Sequence, residues 1–256
     1  MPRFKDQAIC IREIDWSETS QVVVLLTEAH GKVRGLAKGA KRTSPSHRQR
    51  FSGGIELLNQ GEVVATTRPT AQLATITEWD LQHDFFHLRR DLHAQRLAMY
   101  GADLAGAFAP ELDPRPGTYA ALVDLCHQVA SPSDRSVALA RFQWTVIEEG
   151  GFQPALELDV HTGAALASTG PYRFDPAAGG FTATATNAGW GVRKQTLAML
   201  RRVAAGEAIE AEQPAALDRV NRLLCVYARS ILERELPTMA IVLGRGRGDV
   251  ETRATR

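Results

Sequence analysis

Cysteine is scarce in this chain of 256 residues: Cys10, Cys126 and Cys225 are odd in number, widely separated and without a CxxC pair. That argues against a disulfide framework or a thiolate metal site and for a reducing compartment, the cytosol. Long apolar runs are missing as well. Val22–Leu26 and Met239–Leu243 are far too short to cross a bilayer, and the opening MPRFKDQAICIRE has neither the apolar core nor the cleavage site of a secretory signal. No membrane partner is expected. Signature motifs are absent too: there is no GxxxxGK[ST] loop, no GxGxxG after a strand, no HExxH and no GxSxG. Gly35–Gly39 with Lys38 lacks the spacing of a phosphate loop, and no helix follows the GRGRG run to receive a phosphate. The chain carries no enzyme signature, and no catalytic residue, cofactor or metal is assigned.

Carboxylates are missing from one place in particular. Between Gly31 and Phe51 (GKVRGLAKGAKRTSPSHRQRF) there is no Asp or Glu, while Lys32, Arg34, Lys38, Lys41, Arg42, Arg48 and Arg50 all fall there. The formal net charge is only +1, so without these seven cations the remainder sums to −6. Such local concentration, with Gly31, Gly35 and Gly39 among it, suggests a flexible surface that meets phosphate. A solvated basic loop kept for solubility is the alternative.

At 256 residues two domains are expected, and 44% apolar with 23% charged residues describes ordinary globular material. The first eighty residues read as short strands. Gln7–Arg12 puts Ala8, Cys10 and Arg12 on one side, and Val22–Thr27 is apolar on both faces. Val33–Ala37 begins the third strand. Gly54–Asn59 and Glu62–Arg68, joined at Gln60-Gly61, read as a hairpin, and Leu73–Trp79 alternates. Five or six such strands suit a small barrel, OB-like or SH3-like. From Asp80 the period shifts to about 3.6, predicting one long helix through Phe85, Leu88, Leu92, Met99 and Ala102 to about Phe108. Later helices are expected from a Thr118 cap, from Ser131-Pro132-Ser133-Asp134, over Val192–Ala204 and from Gln213-Pro214.

Residues 152–189, rich in Gly, Ala and Thr, read as an insertion with a small β excursion at Tyr172–Phe174 and Gly179–Thr186. Residues 244–256 read as a disordered basic tail. His83 and His87, one helical turn apart beside Asp80 and Asp84, could share a metal, although a polar helix face accounts for them as well. His161 and Asp159 are similarly placed in the insertion. Phe4 and Phe51 could stack on bases beside the basic loop, with barrel packing as the alternative.

Several stretches together resemble the RecO family of recombinational DNA-repair mediators. They are Gln7–Arg12, then Trp16-Ser17-Glu18-Thr19-Ser20, Val22–Glu28, Gly31 through Arg42, Arg48–Phe51, Ile55–Leu58 and the turn Glu149-Gly150-Gly151-Phe152-Gln153-Pro154. The resemblance implies an α+β chain of several domains: an N-terminal OB-fold β-barrel (1–80) and an all-α helical domain (81–243). It implies binding of single- and double-stranded DNA, strand annealing, contact with the C-terminal tail of single-strand-binding protein, partnership with RecR and, indirectly, loading of RecA. It also implies that DNA contacts fall on Lys32, Arg34, Lys38, Lys41, Arg42, Arg48 and Arg50, in a cytoplasmic, nucleoid-associated protein. Many members carry a cysteine zinc module where this chain has residues 152–189; here it has no cysteine, so the insertion is expected to hold by packing alone. An OB-fold scaffold for an acidic partner tail and an RNA-binding barrel are the competing readings.

Overall fold

The computed structural model describes residues 3–41, 50–52, 54–67, 72–166, 170–183, 189–209 and 213–244. They fall into two compact units, Met1–Ala130 and Ser131–Arg256.

The first unit is a barrel with two helices. β1 (Arg3–Asp15), β2 (Gln21–Thr27) and β3 (Gly31–Ala37) form an antiparallel meander; β4 (Phe51–Ser52), β5 (Gln60–Thr66) and β6 (Ala74–His83) follow. The order is β3-β2-β1-β5-β6-β4, and β3 also pairs in parallel with β6. This closure makes the sheet an OB barrel. Alternate residues line the interior in Ala8 and Cys10, Val23 and Leu25, Val33, and Val63 and Ala65, and Ile76 and Trp79 of β6 join them from either side of a bulge.

Closure explains glycines that the sequence assigned to flexibility. A Cβ at Gly35 would lie 2.4 Å from Ile76 Cδ1, beside the seam where Gly35 pairs with Ala74. Gly31 turns the chain at φ +70°, and a Cβ there would sit 2.3 Å from the Asp113 carbonyl oxygen. Both serve close approach of the wall to its neighbours.

Three local expectations are corrected. Gly54–Asn59 is not a strand and Gln60-Gly61 is not a turn. Ile55 and Leu58 are buried at the barrel, Leu58 N–H donates to the Cys10 carbonyl at 2.7 Å, and Gly61 lies within β5 because Asp80 and Trp79 pass too close for a side chain. In β1 the register slips between Cys10, which pairs with Leu25, and Arg12, which pairs with Val24. This bulge takes Arg12 off the Cys10 side and onto the outer face. The long helix from Asp80 is the third. β6 continues through His83, pairing with β5 as far as Gln60, and a 3-10 turn at Phe86–Arg90 precedes α1 (Leu92–Phe108).

Helix α1 is capped by Asp91, whose carboxylate accepts from the N–H groups of His93 and Ala94 at 2.9 and 3.0 Å. α2 (Pro116–Gln128) starts at its proline, leaving the expected cap, Thr118, buried within it. α1 packs on β1 and α2 on both β1 and β2. Ile9, Ile11 and Leu26 on this part of the wall are therefore buried.

The second unit holds α3 (Arg135–Glu149), a three-stranded sheet of β7 (Tyr172–Asp175), β8 (Gly180–Thr182) and β9 (Trp190–Val192), then α4 (Lys194–Ala204), α5 (Pro214–Leu232) and α6 (Ala240–Leu243). α3 begins four residues after Ser131, with Asp134 at its cap position. Trp144 and Ile147 of α3, and Val220 and Leu224 of α5, are buried. A buried polar bond, Gln143 Nε2 to Asn221 Oδ1 at 2.9 Å, ties α3 to α5.

The insertion does not hold by packing alone. Phe174 and Phe181 are buried, but Asp159 also stands at its centre. One oxygen accepts from His161 N–H at 2.9 Å and Thr162 N–H at 3.1 Å; the other accepts from the Thr182 hydroxyl and Ala183 N–H, both at 2.8 Å. Asp175 similarly accepts from Ala177 and Ala178 N–H and meets His161 Nε2 at 3.0 Å. Burial alone would raise the Asp159 carboxyl. The bonds from Ala183, His161, Thr182 and Thr162 outweigh it and hold the group well below the ordinary value of 3.8. A depressed folded pKa contributes stability that is present above 3.8 and is lost as pH falls below it toward the folded value. Asp159→Asn is thus expected to lower the melting temperature at pH 7 and to unprotect the Ala183 amide against hydrogen exchange. The gap from wild type should narrow as pH is taken below 3.8.

Candidate nucleic-acid interface

The three-stranded meander has an outer face, and beyond the part that α1 and α2 cover it is solvent-facing. Cross-strand pairing places Arg12 opposite Val24 and Val24 opposite Arg34, then Ile14 opposite Val22 and Val22 opposite Leu36. Side chains that pair across neighbouring strands share a face. Two exposed arginines therefore flank this face about 10 Å apart, two strand spacings, with half-buried Val24 and Leu36 and exposed Ile14 among them. In OB barrels this β2–β3 face, with the β1–β2 loop, is the usual oligonucleotide surface.

The β1–β2 loop is stitched to the turn after β3. Lys41 N–H donates to the Thr19 carbonyl at 3.2 Å, Gly39 N–H to Ser20 Oγ at 3.3 Å, and Lys41 Nζ pairs with Asp15. Lys38, exposed and without an ion pair among the described residues, sits in the same turn.

The seven cations named from the sequence do not form one cluster. Arg34, Lys38 and Lys41 lie together at this end of the barrel, and Arg12, which the charge run did not include, joins them. Arg34 approaches Glu111 at 3.9 Å, both side chains about half exposed; such pairs are screened and worth little. Lys32 is committed elsewhere. Its Nζ donates to the Gly106 carbonyl of α1 at 2.8 Å, answering one of the helix's unpaired terminal carbonyls. Its backbone is held by the segment after α1, through Pro110 and Leu112.

Arg50 lines a separate pocket of about 520 Å³ by β1, β5 and β6. Arg3 and Lys5 share that pocket with Glu62, Glu78 and Asp80, and pair with Glu78 at 2.8 Å and Glu62 at 2.7 Å. Three cations against three carboxylates make a neutral surface, unsuited to a polyanion. Arg42 and Arg48 lie outside the described residues, as do Arg245, Arg247, Arg253 and Arg256 of the tail.

The aromatic candidates are engaged in packing. Phe51 is buried in the barrel, and Phe4 stacks on His30 with ring centroids 4.1 Å apart. Trp16, at the start of the β1–β2 loop, is 66% accessible, more than the other exposed aromatics among the described residues, Phe86, Phe152 and Trp190. Its signal in the sequence is position, an indole between two strands in a short polar turn.

The metal candidates are likewise rearranged. His83 ends β6, and His87 in the 3-10 turn directs Nε2 to the Cys126 carbonyl at 2.8 Å. His127 packs on Phe85 and His83, with centroids 4.8 and 5.6 Å away. Burial, then the neighbouring His83, lowers the His127 pKa. Among the described residues no group of three or more His, Cys, Asp or Glu is placed to hold a metal ion. The three cysteines are buried and form no disulfide, with the Cys10 and Cys126 thiols pushed up to about 12 chiefly by burial. No helix among the described residues is long and apolar enough to cross a membrane.

Comparison with known proteins agrees with this architecture. Residues 1–85 match the family model for the Recombination protein O N terminal, and residues 89–240 that for its C terminal. A DNA repair protein RecO from Anaeromyxobacter sp. (strain K) is 30% identical over 180 residues, covering 70% of this chain and 69% of the relative. A DNA repair protein RecO from Symbiobacterium thermophilum is 30% identical over 182 residues, covering 70% of each chain. A DNA repair protein RecO from Salinibacter ruber is 31% identical over 125 residues, covering 49% of this chain and 46% of the relative.

The commitment of Lys32 to α1 separates it from the other cations. Lys32→Ala is expected to cost about 1.5–3 kcal/mol of stability, the value of a charged hydrogen bond. The slope of DNA affinity against salt should stay unchanged, as read from thermal melts and from titrations of a labelled oligonucleotide at several salt concentrations.

Proposed function

This chain belongs to the RecO family of DNA repair proteins, and from that premise we propose that its barrel binds DNA through Arg12, Arg34, Lys38 and Lys41. The single observation that carries the reading is the joining of the β1–β2 loop to the Lys38–Lys41 turn. It sets these cations around one open face of an OB barrel.

Binding proceeds by exchange of partners. Arg34 and Lys41 leave their exposed carboxylates, Glu111 and Asp15, for phosphates, and condensed counterions are released from the strand. Because each protein carboxylate is solvated before and after, little is lost on the protein side. Phosphate contacts of this kind hold single or double strands without reading sequence. Two complementary strands held on neutralising surfaces repel one another less, which favours annealing. No bond chemistry is assigned to the chain. Its proposed setting is the cytoplasm at the nucleoid, with RecR, the C-terminal tail of single-strand-binding protein and, through them, RecA on coated DNA as its partners; membership of a DNA repair family supports this reading. Arg42 and Arg48 remain in the proposed set through their position in the basic segment. Lys32 and Arg50 contribute at most to the long-range field.

Replacing Arg34, Lys38 and Lys41 together by Ala is expected to weaken binding about equally across sequences. The log–log salt slope on single strands should shrink by about 2, close to 0.7 for each lost phosphate contact. Fluorescence anisotropy with a labelled single strand at several salt concentrations measures both; an unchanged slope removes this face from the mechanism.

A further inference from the structure

We infer that Trp16 is the stacking platform of this face and gives it preference for unpaired bases over duplex. The inference rests on the DNA-binding reading above and adds to it a residue and a substrate class.

Three observations converge on Trp16. The residue is 66% exposed and makes no ring contact among the described residues, whereas Trp79 and Trp144 are buried and Trp190 stacks on Phe174. It is held in position nonetheless: the backbone N–H groups of Trp16 and Ser17 both donate to the Ser20 carbonyl at 3.1 Å, closing the loop tightly. It also stands at the end of an apolar strip, following Ile14, which is itself 46% exposed and pairs with Val22.

The charges around the ring suit a nucleic-acid strand. Asp15, immediately before Trp16, pairs with Lys41 in the free protein and is exposed enough to be solvated when Lys41 turns to a phosphate, and the Lys38–Lys41 turn is hydrogen-bonded to Thr19 and Ser20 of the same loop. Glu18 adds one exposed carboxylate to the loop. An indole beside lysines can take a base on its face while the cations take the adjoining phosphates. Within a duplex the faces of bases are already stacked on their neighbours and are out of reach, so this contact is available to single strands alone.

The test uses the full chain with Trp16→Ala and Trp16→Phe. Three labelled ligands of equal length are titrated at one moderate salt concentration: oligo(dT), an abasic strand with the same backbone, and a dT·dA duplex. Trp16→Ala should weaken oligo(dT) binding about tenfold, within the range of one base–aromatic stack. Trp16→Phe should restore most of it, and neither variant should alter binding to the abasic strand or the duplex. In the wild type oligo(dT) should quench tryptophan fluorescence, and Trp16→Phe should abolish most of that quenching. Equal losses on all three ligands, unaltered oligo(dT) affinity in Trp16→Ala, or quenching that survives in Trp16→Phe would each overturn the inference while leaving DNA binding in place. Failure of the wild type to bind any of the ligands would overturn the DNA-binding reading as well.

Discussion

The parallel pairing of β3 with β6 is the constraint on which the rest of the first unit depends. A three-stranded meander has two open edges; joining β3 to β6 through Gly35, Leu36 and Ala37 closes one surface inward as a core and turns the other outward. Glycine at Gly35 and isoleucine at Ile76 are complementary choices at this seam, one leaving the space that the other fills. Once the barrel is closed, the outer wall has to be either covered or solvated. Ile9, Ile11 and Leu26 are covered by α1 and α2, and the bulge after Cys10 sets Arg12 at the limit of that cover. The proposed DNA face is the remainder of the wall, so its location follows from where the helices end.

Electrostatics is distributed by the same geometry. Strand β3 alternates buried Val33, Gly35 and Ala37 with outward Lys32, Arg34 and Leu36, so its cations share a side. Position along the strand then divides them. Lys32 lies at the covered end, near the last turn of α1, where unpaired carbonyls attract an ammonium group. Arg34 and Lys38 lie toward the open end. Charge density in sequence is thus converted into two different uses, one structural and one available to a ligand.

The insertion shows another way of holding a small loop-rich segment. Where a thiolate-bound metal would gather backbone N–H groups around a fixed centre, Asp159 gathers three N–H groups and a hydroxyl around one carboxylate. Full hydrogen bonding makes a buried charge tolerable, and the depressed pKa of Asp159 expresses how strongly the folded chain prefers it ionised. Such a centre needs no cysteine, in keeping with a chain whose three thiols are all buried apart from one another.

The presence of β1 to β3, the later helices and the basic segment was legible in the sequence, because strand and helix periods and local charge are properties of neighbouring residues. A small barrel and the strands at Tyr172–Phe174 and Gly180–Thr182 were legible for the same reason; the OB class came with the RecO resemblance, which rests on particular residues such as Gly31 through Arg42. Tertiary structure alone decided which residues face one another. Ile55 and Leu58 have the composition of a strand, yet the barrel needed them as a plug. The 3.6-residue period after Asp80 was overridden by pairing with β5, and a one-residue bulge moved Arg12 to the outer face. Arg34, Lys38 and Lys41 were found by charge, but only closure and the loop contacts separate them from Lys32 and Arg50 and join them to Arg12 and Trp16. Exposure of an indole depends on what the fold leaves uncovered, a property of the closed barrel and its helices together, which no local pattern contains.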